Sequence, residues 1–309
     1  MIRKIVIAGA GTMGYSMASI FARYDYEVVI YDVSEKAINN AKEKISINVD
    51  TLVNEKEITV SQANSLHEHL SYTTNIDCFK DCDLVVESII ENLSIKQSFY
   101  AAVSKIVRED TILATNTSGL SINALASVVY KPERFIGMHW FNPSHLILLI
   151  EIIKGDNTSD EVAKTIYDLS LAIHKKPVIV NKDILGFAAN RIQFAILREA
   201  LYLIENNVVS KEGIDDLMKY GLGFRYACLG PLEVVDFGGV DTFHHISEYL
   251  MKDLCDSKDV PKLLDEIYQR GDYGIKTKKG FYDYQNGKDV IKMNERDEKL
   301  VKLFNALYK

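Results

Sequence analysis

The sequence predicts an α/β fold, a doubly wound sheet with an inserted helical hairpin, followed by an all-α C-terminal domain. Three observations carry this expectation. Strand-length apolar runs alternate with amphipathic helical stretches over the first 183 residues. A glycine cluster, Gly9-Ala10-Gly11-Thr12-Met13-Gly14, follows the first of those runs directly. Past Asp183 the strand signals vanish and only helical periodicity remains. Residues 1–183 and 184–309 are the two domains implied, and 309 residues supply ample core for both.

The glycine cluster has the parts of a nucleotide clamp. Gly9 permits the tight turn out of the strand at 4–8, and Gly11 lets the backbone approach a pyrophosphate with no Cβ in the way. Gly14 lets the next helix, 14–24, pack closely on the sheet. Thr12 and Met13 complete the turn, whose free N–H groups and helix dipole favour the negative pyrophosphate. Residues 28–31 read as the second strand. Asp32 at its end can accept hydrogen bonds from both hydroxyls of an adenine ribose and would repel a 2′-phosphate. Strand, glycines, helix, strand and acid fall in order within one βαβ unit. The expectation is a Rossmann-type domain with NAD as cofactor.

The remaining elements follow in order. Residues 34–54 show helical spacing with Ser34 as N-cap, and 59–69 form a second helix. Together they make the hairpin inserted into the dinucleotide domain. Strands are expected at 70–74, 84–87, 111–115, 135–138, 148–153 and 177–180, in a parallel sheet, with helices at 92–107 and 161–174. The second domain reads as helices at 184–204, 211–219, 232–251 and 261–270. No flexible linker joins the domains, which predicts a cleft suited to a small-molecule site.

Composition narrows the function. A net charge of -7 argues against nucleic acid or an anionic membrane as partner. The longest apolar run, 146–150, stops at Glu151, far short of a membrane span, and the N-terminal run is a strand rather than a signal segment. The default location is the cytoplasm. Cys78, Cys82, Cys228 and Cys255 make no metal-ligand pattern and read as reduced structural thiols, and His67 and His69 as solvated surface. No metal is expected. The second domain carries more apolar helical positions (Phe187, Ile192, Phe194, Ile196, Leu197, Leu201) than its own core needs, which predicts a homodimer.

A second constellation lies at 116–118, 139–143 and 151, placed at strand ends where open sheets present ligand-binding groups. His139 alone reads as a core histidine. Glu151 changes that reading, because it is the one acid in an otherwise apolar strand. A buried carboxylate is costly unless paired. A histidine on a neighbouring strand is the natural partner, and the pairing orients the imidazole and fixes its tautomer for general-base work on a hydroxyl.

The motifs GAGTMG, LVVESIIENLSIK at 84–96, NTSGLSI at 116–122, MHWFNP at 138–143, GFAANR at 186–191, GPLEVVDFGGVD at 230–241 and KTKKGFYDY at 276–284 occur in this order. In order and spacing the chain resembles the L-3-hydroxyacyl-CoA dehydrogenase family along nearly its whole length. The resemblance implies reversible hydride transfer to NAD, with His139 as catalytic base and Glu151 as its partner. It implies that Ser118 and Asn190 hold the substrate oxygen beside the nicotinamide. Ser118, Glu91, Lys96, Asn142 and Lys276 match positions that touch NAD, and the family commonly dimerises through its second domain.

Three departures bear on the substrate. Leu148 stands where acyl-CoA members carry a lysine before the glutamate. Asn48 and Glu55 stand where a serine and a lysine can contact CoA, although Lys56 is adjacent. Arg225-Tyr226-Ala227 resembles the branch of carnitine dehydrogenases, gulonate dehydrogenases and lambda-crystallin. Arg225 is either a carboxylate clamp or one half of an ion pair. The leading expectation is a dehydrogenase of short-chain, 3-hydroxybutyryl-like CoA thioesters. The alternatives are a dehydrogenase of a small free 3-hydroxy acid and a crystallin-like structural protein. The intact Ser118, His139, Glu151 and Asn190 argue against the last.

Overall fold

The computed structural model describes residues 2–54 and 58–308. They fall into two compact units, 1–191 and 192–309.

The first unit is built on one eight-stranded sheet. Its strands are β1 (Lys4–Ala8), β2 (Glu27–Tyr31), β3 (Leu70–Thr73), β4 (Leu84–Glu87), β5 (Ile112–Thr115), β6 (Phe135–Trp140), β7 (Leu149–Ile153) and β8 (Lys176–Val180). The spatial order is β3-β2-β1-β4-β5-β6-β7-β8, so the winding reverses between β1 and β4. Residues 5–8 of β1 are fully buried because helices cover both faces, and the run is therefore continuously apolar rather than alternating. One face packs Met17, Phe21 and Ile30, and the other packs Phe79, Tyr100 and Phe135.

Helix α1 (Thr12–Arg23) leaves the glycine turn. Helices α2 (Glu35–Asn54) and α3 (Val60–Glu68) form the inserted pair between β2 and β3. Ile38, Ala41, Ile45 and Val49 make the buried stripe of α2, at the spacing of one helical face. Ser34 Oγ accepts from the Ala37 N–H as expected of an N-cap, and Thr59 caps α3 in a reciprocal box with Gln62. Helices α4 (Leu93–Val103), α5 (Ile122–Ala126) and α6 (Asp160–Ala172) complete the layers. Of these three, α5 alone is an addition to the expected set. It is a single turn whose Ser121 cap accepts from the Ala124 N–H.

The sheet departs from the all-parallel expectation in one place. β7 runs antiparallel to β6, and β8 runs parallel to β7. The physical reason is chain length, since residues 141–148 are too few for the crossover that a parallel pair requires. Glu151 is mid-strand rather than at a strand end, and His139 likewise lies inside β6.

Helix α7 (Ala189–Glu205) begins five residues later than its periodicity suggests, because Gly186 and Phe187 both adopt left-handed backbone (φ 75° and 51°). The boundary between the units falls within this helix. In the second unit follow α8 (Lys211–Leu217), a π-helical turn at Met218–Leu222, and α9 (Gly223–Tyr226). The expected run over 232–251 is divided by Gly239 (φ 93°) into α10 (Pro231–Gly238) and α11 (Val240–Asp253). Beyond α12 (Lys262–Gln269), α13 (Lys288–Tyr308) is an addition to the expected set. No helix among the described residues is long and apolar enough to cross a membrane.

Candidate active site

The glycine turn separates what the protein needs from what a ligand needs. A Cβ on Gly9 would lie 2.5 Å from the Ser88 carbonyl oxygen, and one on Gly14 would lie 1.8 Å from that of Gly9. Both glycines are required for the chain to fold back between β1 and β4. Gly11 is different. A Cβ there would meet nothing within 4 Å, and its backbone angles suit any residue (φ -71°, ψ -175°). The space before Gly11 is an open cradle at the start of α1, whose N-cap bears no side-chain hydrogen bond. That is the form a pyrophosphate fits. Asp32 ends β2 with Oδ2 accepting from the Ala10 N–H (2.9 Å) and Oδ1 from the Ser34 N–H (2.9 Å). These bonds fix the carboxylate against the turn, and each oxygen keeps a lone pair for a ribose hydroxyl.

His139 and Glu151 face each other across β6 and β7 in register. The Nδ1 of His139 donates to Glu151 Oε2 at 2.9 Å, with the residues 3 % and 1 % exposed. Donation from Nδ1 to a carboxylate leaves Nε2 with its lone pair. Phe141 and Phe187 wall the ring at 4.4 and 5.7 Å between centroids. Glu151 Oε1 accepts from the backbone N–H groups of Ala188 (3.0 Å) and Ala189 (2.8 Å). The left-handed residues Gly186 and Phe187 turn the chain so that both N–H groups converge there. Burial alone would push the Glu151 carboxyl up. The hydrogen bonds from His139, Ala189 and Ala188 more than offset it and hold the group below its ordinary value.

Asn190, in the first turn of α7, donates from Nδ2 to the Ser118 carbonyl at 2.7 Å. The two residues expected at the substrate oxygen are thus together. The Ser118 N–H donates to Glu91 Oε1 (2.9 Å), which also accepts from Thr117 Oγ1 (2.5 Å). Lys96 is buried, with Nζ 2.5 Å from Glu87 Oε1 and 3.3 Å from Glu91 Oε2. Glu87 was not singled out in the sequence. Its signal was the one that exposed Glu151, a lone acid closing an apolar strand.

Asn142 is exposed on the loop after β6, next to a cis Asn142–Pro143 bond. That loop is pinned by Ser144 Oγ donating to Ser16 Oγ (2.6 Å). Lys175 Nζ donates to the carbonyls of Ser144 (2.6 Å) and Ile147 (2.8 Å), with its charge 5.5 Å from the centre of the Trp140 ring. Burial pushes the Lys175 ammonium down to about 8. Lys175 also escaped the sequence reading.

Lys276 and Arg225 are exposed residues of the second unit. The Arg225 guanidinium lies 5.9 Å from the centre of the Tyr226 ring, and no ion pair among the described residues includes it. Lys56 and Glu55 lie outside the described residues. Among the cysteines, burial pushes the Cys82 thiol up to about 12 and Cys78 to about 11, as suits inert structural thiols.

Comparison with known proteins places this geometry. The NAD-binding domain of 3-hydroxyacyl-CoA dehydrogenase matches residues 4–184, and that family's C-terminal domain matches 186–284. The chain is 37 % identical over 302 residues to 5-formyl-3-hydroxy-2-methylpyridine 4-carboxylate 5-dehydrogenase of Mesorhizobium japonicum, covering 97 % of each chain. It is 36 % identical over 282 residues to 3-hydroxybutyryl-CoA dehydrogenase of Clostridioides difficile, covering 91 % of this chain and 99 % of that one. A crystal structure of the pyridine-carboxylic acid 5-dehydrogenase, described as an NAD+-dependent dismutase, superimposes with a TM-score of 0.93 over 99 % of both chains at 37 % identity. With the glycine cradle, Asp32 and the paired His139 and Glu151 in place, the chain belongs to the 3-hydroxyacyl-CoA dehydrogenase family and is an NAD-dependent oxidoreductase.

Proposed function

We propose that this enzyme interconverts a 3-hydroxyacyl group and its 3-oxo form, with His139 as the base and a short-chain, 3-hydroxybutyryl-like CoA thioester as the substrate. The observation that carries the chemistry is the buried His139–Glu151 pair, whose Nδ1–Oε2 contact at 2.9 Å leaves Nε2 as the ring nitrogen free to act as the base. Nε2 takes the proton of the 3-hydroxyl, and Glu151 stabilises the imidazolium that forms. NAD, when bound, supplies the hydride acceptor. Asn190 and Ser118, tied to each other, hold the substrate oxygen so that proton removal is not limited by orientation. In reduction the imidazolium returns the proton to the forming alkoxide. Glu91, Lys96, Asn142 and Lys276 contact the dinucleotide in this reading. The substrate reading draws on the relatives named 3-hydroxybutyryl-CoA dehydrogenase, at 34–37 % identity.

A specific observation favours a second reading, a small free carboxylic acid as substrate. Arg225 makes no ion pair among the described residues, which removes the structural use that an ion pair would have given it. A relative that superimposes with a TM-score of 0.93 is named for a pyridine carboxylate. Leu148, just before β7, also stands where acyl-CoA members are expected to carry a lysine. NADH oxidation measured side by side with acetoacetyl-CoA, acetoacetate and 3-dehydrocarnitine tests both readings. Turnover confined to the thioester supports the first, and turnover confined to a free acid replaces it with the second.

The enzyme acts in the cytoplasm as a homodimer in this proposal. Support for the dimer comes from the second unit, where only Leu201, Val234 and Ile267 are buried among residues 192–308. Leu232 and Phe237 on α10 are 79 % and 81 % exposed. A helical unit with so little of its apolar surface covered needs a second copy.

A further inference from the structure

Glu87 ends β4 with its carboxylate fully buried and fully committed. It accepts from Lys96 Nζ (2.5 Å), Thr115 Oγ1 (2.8 Å) and the Ile89 N–H (2.8 Å), and the Tyr100 hydroxyl, whose shorter bond is to the Ala114 carbonyl (2.9 Å), lies 3.3 Å away. Lys96, 1 % exposed, bridges from Glu87 to Glu91. The Glu91 side chain is 45 % exposed. Two carboxylates therefore share one ammonium, for a formal charge of -1, and the surplus lies on the member that reaches solvent. Stability alone does not explain the cluster, since desolvation largely cancels the attraction in a buried ion pair and apolar side chains would fill the space as well.

The position of the cluster supplies a reason. Asp32, just past β2, marks the adenosine end of the site. Binding across the reversal between β1 and β4 carries the other half of the dinucleotide to the ends of β4 and β5. Glu87 closes β4, and Glu91 holds Thr117 and Ser118 just past β5. The nicotinamide ring is cationic when oxidised and neutral when reduced. We infer that the Glu87–Lys96–Glu91 triad sets the charge of the nicotinamide end of the site. Glu87 cancels the Lys96 ammonium, and the surplus Glu91 carboxylate favours NAD+ over NADH. Glu87 acts through its neighbours and is a positioning residue. The inference rests on the proposed role of Ser118 and His139 at the reacting end.

Dissociation constants for NAD+ and NADH, measured by calorimetry at one ionic strength, test this by their ratio. Glu87→Gln brings the triad to zero charge and should lower the preference for NAD+ over NADH by on the order of tenfold. Glu91→Gln should do the same, and because its side chain reaches solvent it keeps the test open if Glu87→Gln does not fold. The double variant Glu87→Gln, Lys96→Met keeps the charge at -1 and should restore the wild-type ratio even if both affinities fall. A purely structural role would leave the ratio unmoved in the single variants, or moved equally in the double, and either result overturns the inference. Failure of the underlying mechanism is distinct. It would appear as normal dinucleotide binding with a turnover indifferent to His139→Gln.

Discussion

Glu151 lies opposite His139 on the antiparallel neighbour strand, and its two oxygens serve two elements at once. Oε2 holds the imidazole at 2.9 Å, while Oε1 caps the start of α7 through Ala188 and Ala189. The same first turn of α7 carries Asn190, which holds the Ser118 carbonyl. The proposed base and the residues proposed to hold the substrate oxygen are thereby fixed to one helix start, so disturbing Glu151 loosens both arms.

His139→Gln should lower kcat by about 10² to 10⁴, the usual worth of a placed general base, with NAD affinity retained. Glu151→Gln should lower kcat as well and shift the pH–rate profile. It should also change acid stability. Because the native carboxyl sits below its ordinary value of 4.5, the stability it contributes is complete above that value and is lost as pH falls through the native one. Urea midpoints measured between pH 3 and 7 should fall less steeply in Glu151→Gln than in wild type. Near-normal turnover in His139→Gln would reduce the pair to core packing.

Gly11→Ala should fold with an unchanged melting temperature, because its Cβ meets no protein atom, yet weaken NAD binding at least tenfold, about 1.4 kcal/mol. Wild-type enzyme should prefer NAD(H) over NADP(H) by a similar factor through Asp32. Titration of the variant with NAD, beside a thermal melt, separates loss of ligand from loss of fold. Equal turnover with both cofactors would contradict the role of Asp32.

Lys175 gives a signature at alkaline pH. Its native value near 8 lies below the ordinary 10.5, so the unfolded chain binds more protons between them. The cost of burying the charge is full below pH 8 and is relieved as pH rises towards 10.5. Lys175→Met lacks this term. The urea midpoint of wild type should gain on that of the variant across pH 8 to 10.5, and a constant difference would rule the burial cost out.

Much of this architecture was legible because burial writes itself into apolar runs. β1, the stripe of α2 and the glycine turn each state their surroundings directly. Glu151 was legible for the converse reason, as an acid where none belongs. Glu87 carried the same signal at the end of β4 but lay in a motif already given to the cofactor. The antiparallel β7 was written only in the shortness of the 141–148 link. The late start of α7 depends on the backbone of Gly186 and Phe187. That turn also places Phe187 in the first unit's core beside His139, rather than among the second unit's apolar surface. α13 escaped because the polar stretch at 294–299 interrupts its apolar spacing.

The exposed apolar face of the second unit predicts a dimer at micromolar concentration by sedimentation velocity. Phe237→Glu, which places a charge on an 81 % exposed apolar position, should shift the enzyme towards monomer. A wild-type monomer would contradict the proposal.

The substrate readings make opposite forecasts for one set of variants. CoA phosphates need a basic surface, and Lys42 and Lys44 of α2, together with Lys56, are its candidates. In the described structure Lys42 and Lys44 lie over the rings of Tyr72 and Tyr15, which holds their ammonium groups near the helix surface. If a thioester is the substrate, neutralising these lysines should raise KM and weaken its salt dependence with kcat nearly intact, because remote phosphate contacts bind ground and transition states alike. If a free acid is the substrate, the lysines should not matter. Arg225→Met should then cost about 2–5 kcal/mol in kcat/KM, the scale of a lost desolvated charge pair. Arg225→Lys should recover only part of that, since an ammonium cannot make the bidentate contact. Kinetics with acetoacetyl-CoA and a free 3-oxo acid on the same variants decide the matter. An Arg225-dependent reaction of the free acid, beside no reaction of the thioester, would reverse the proposed order.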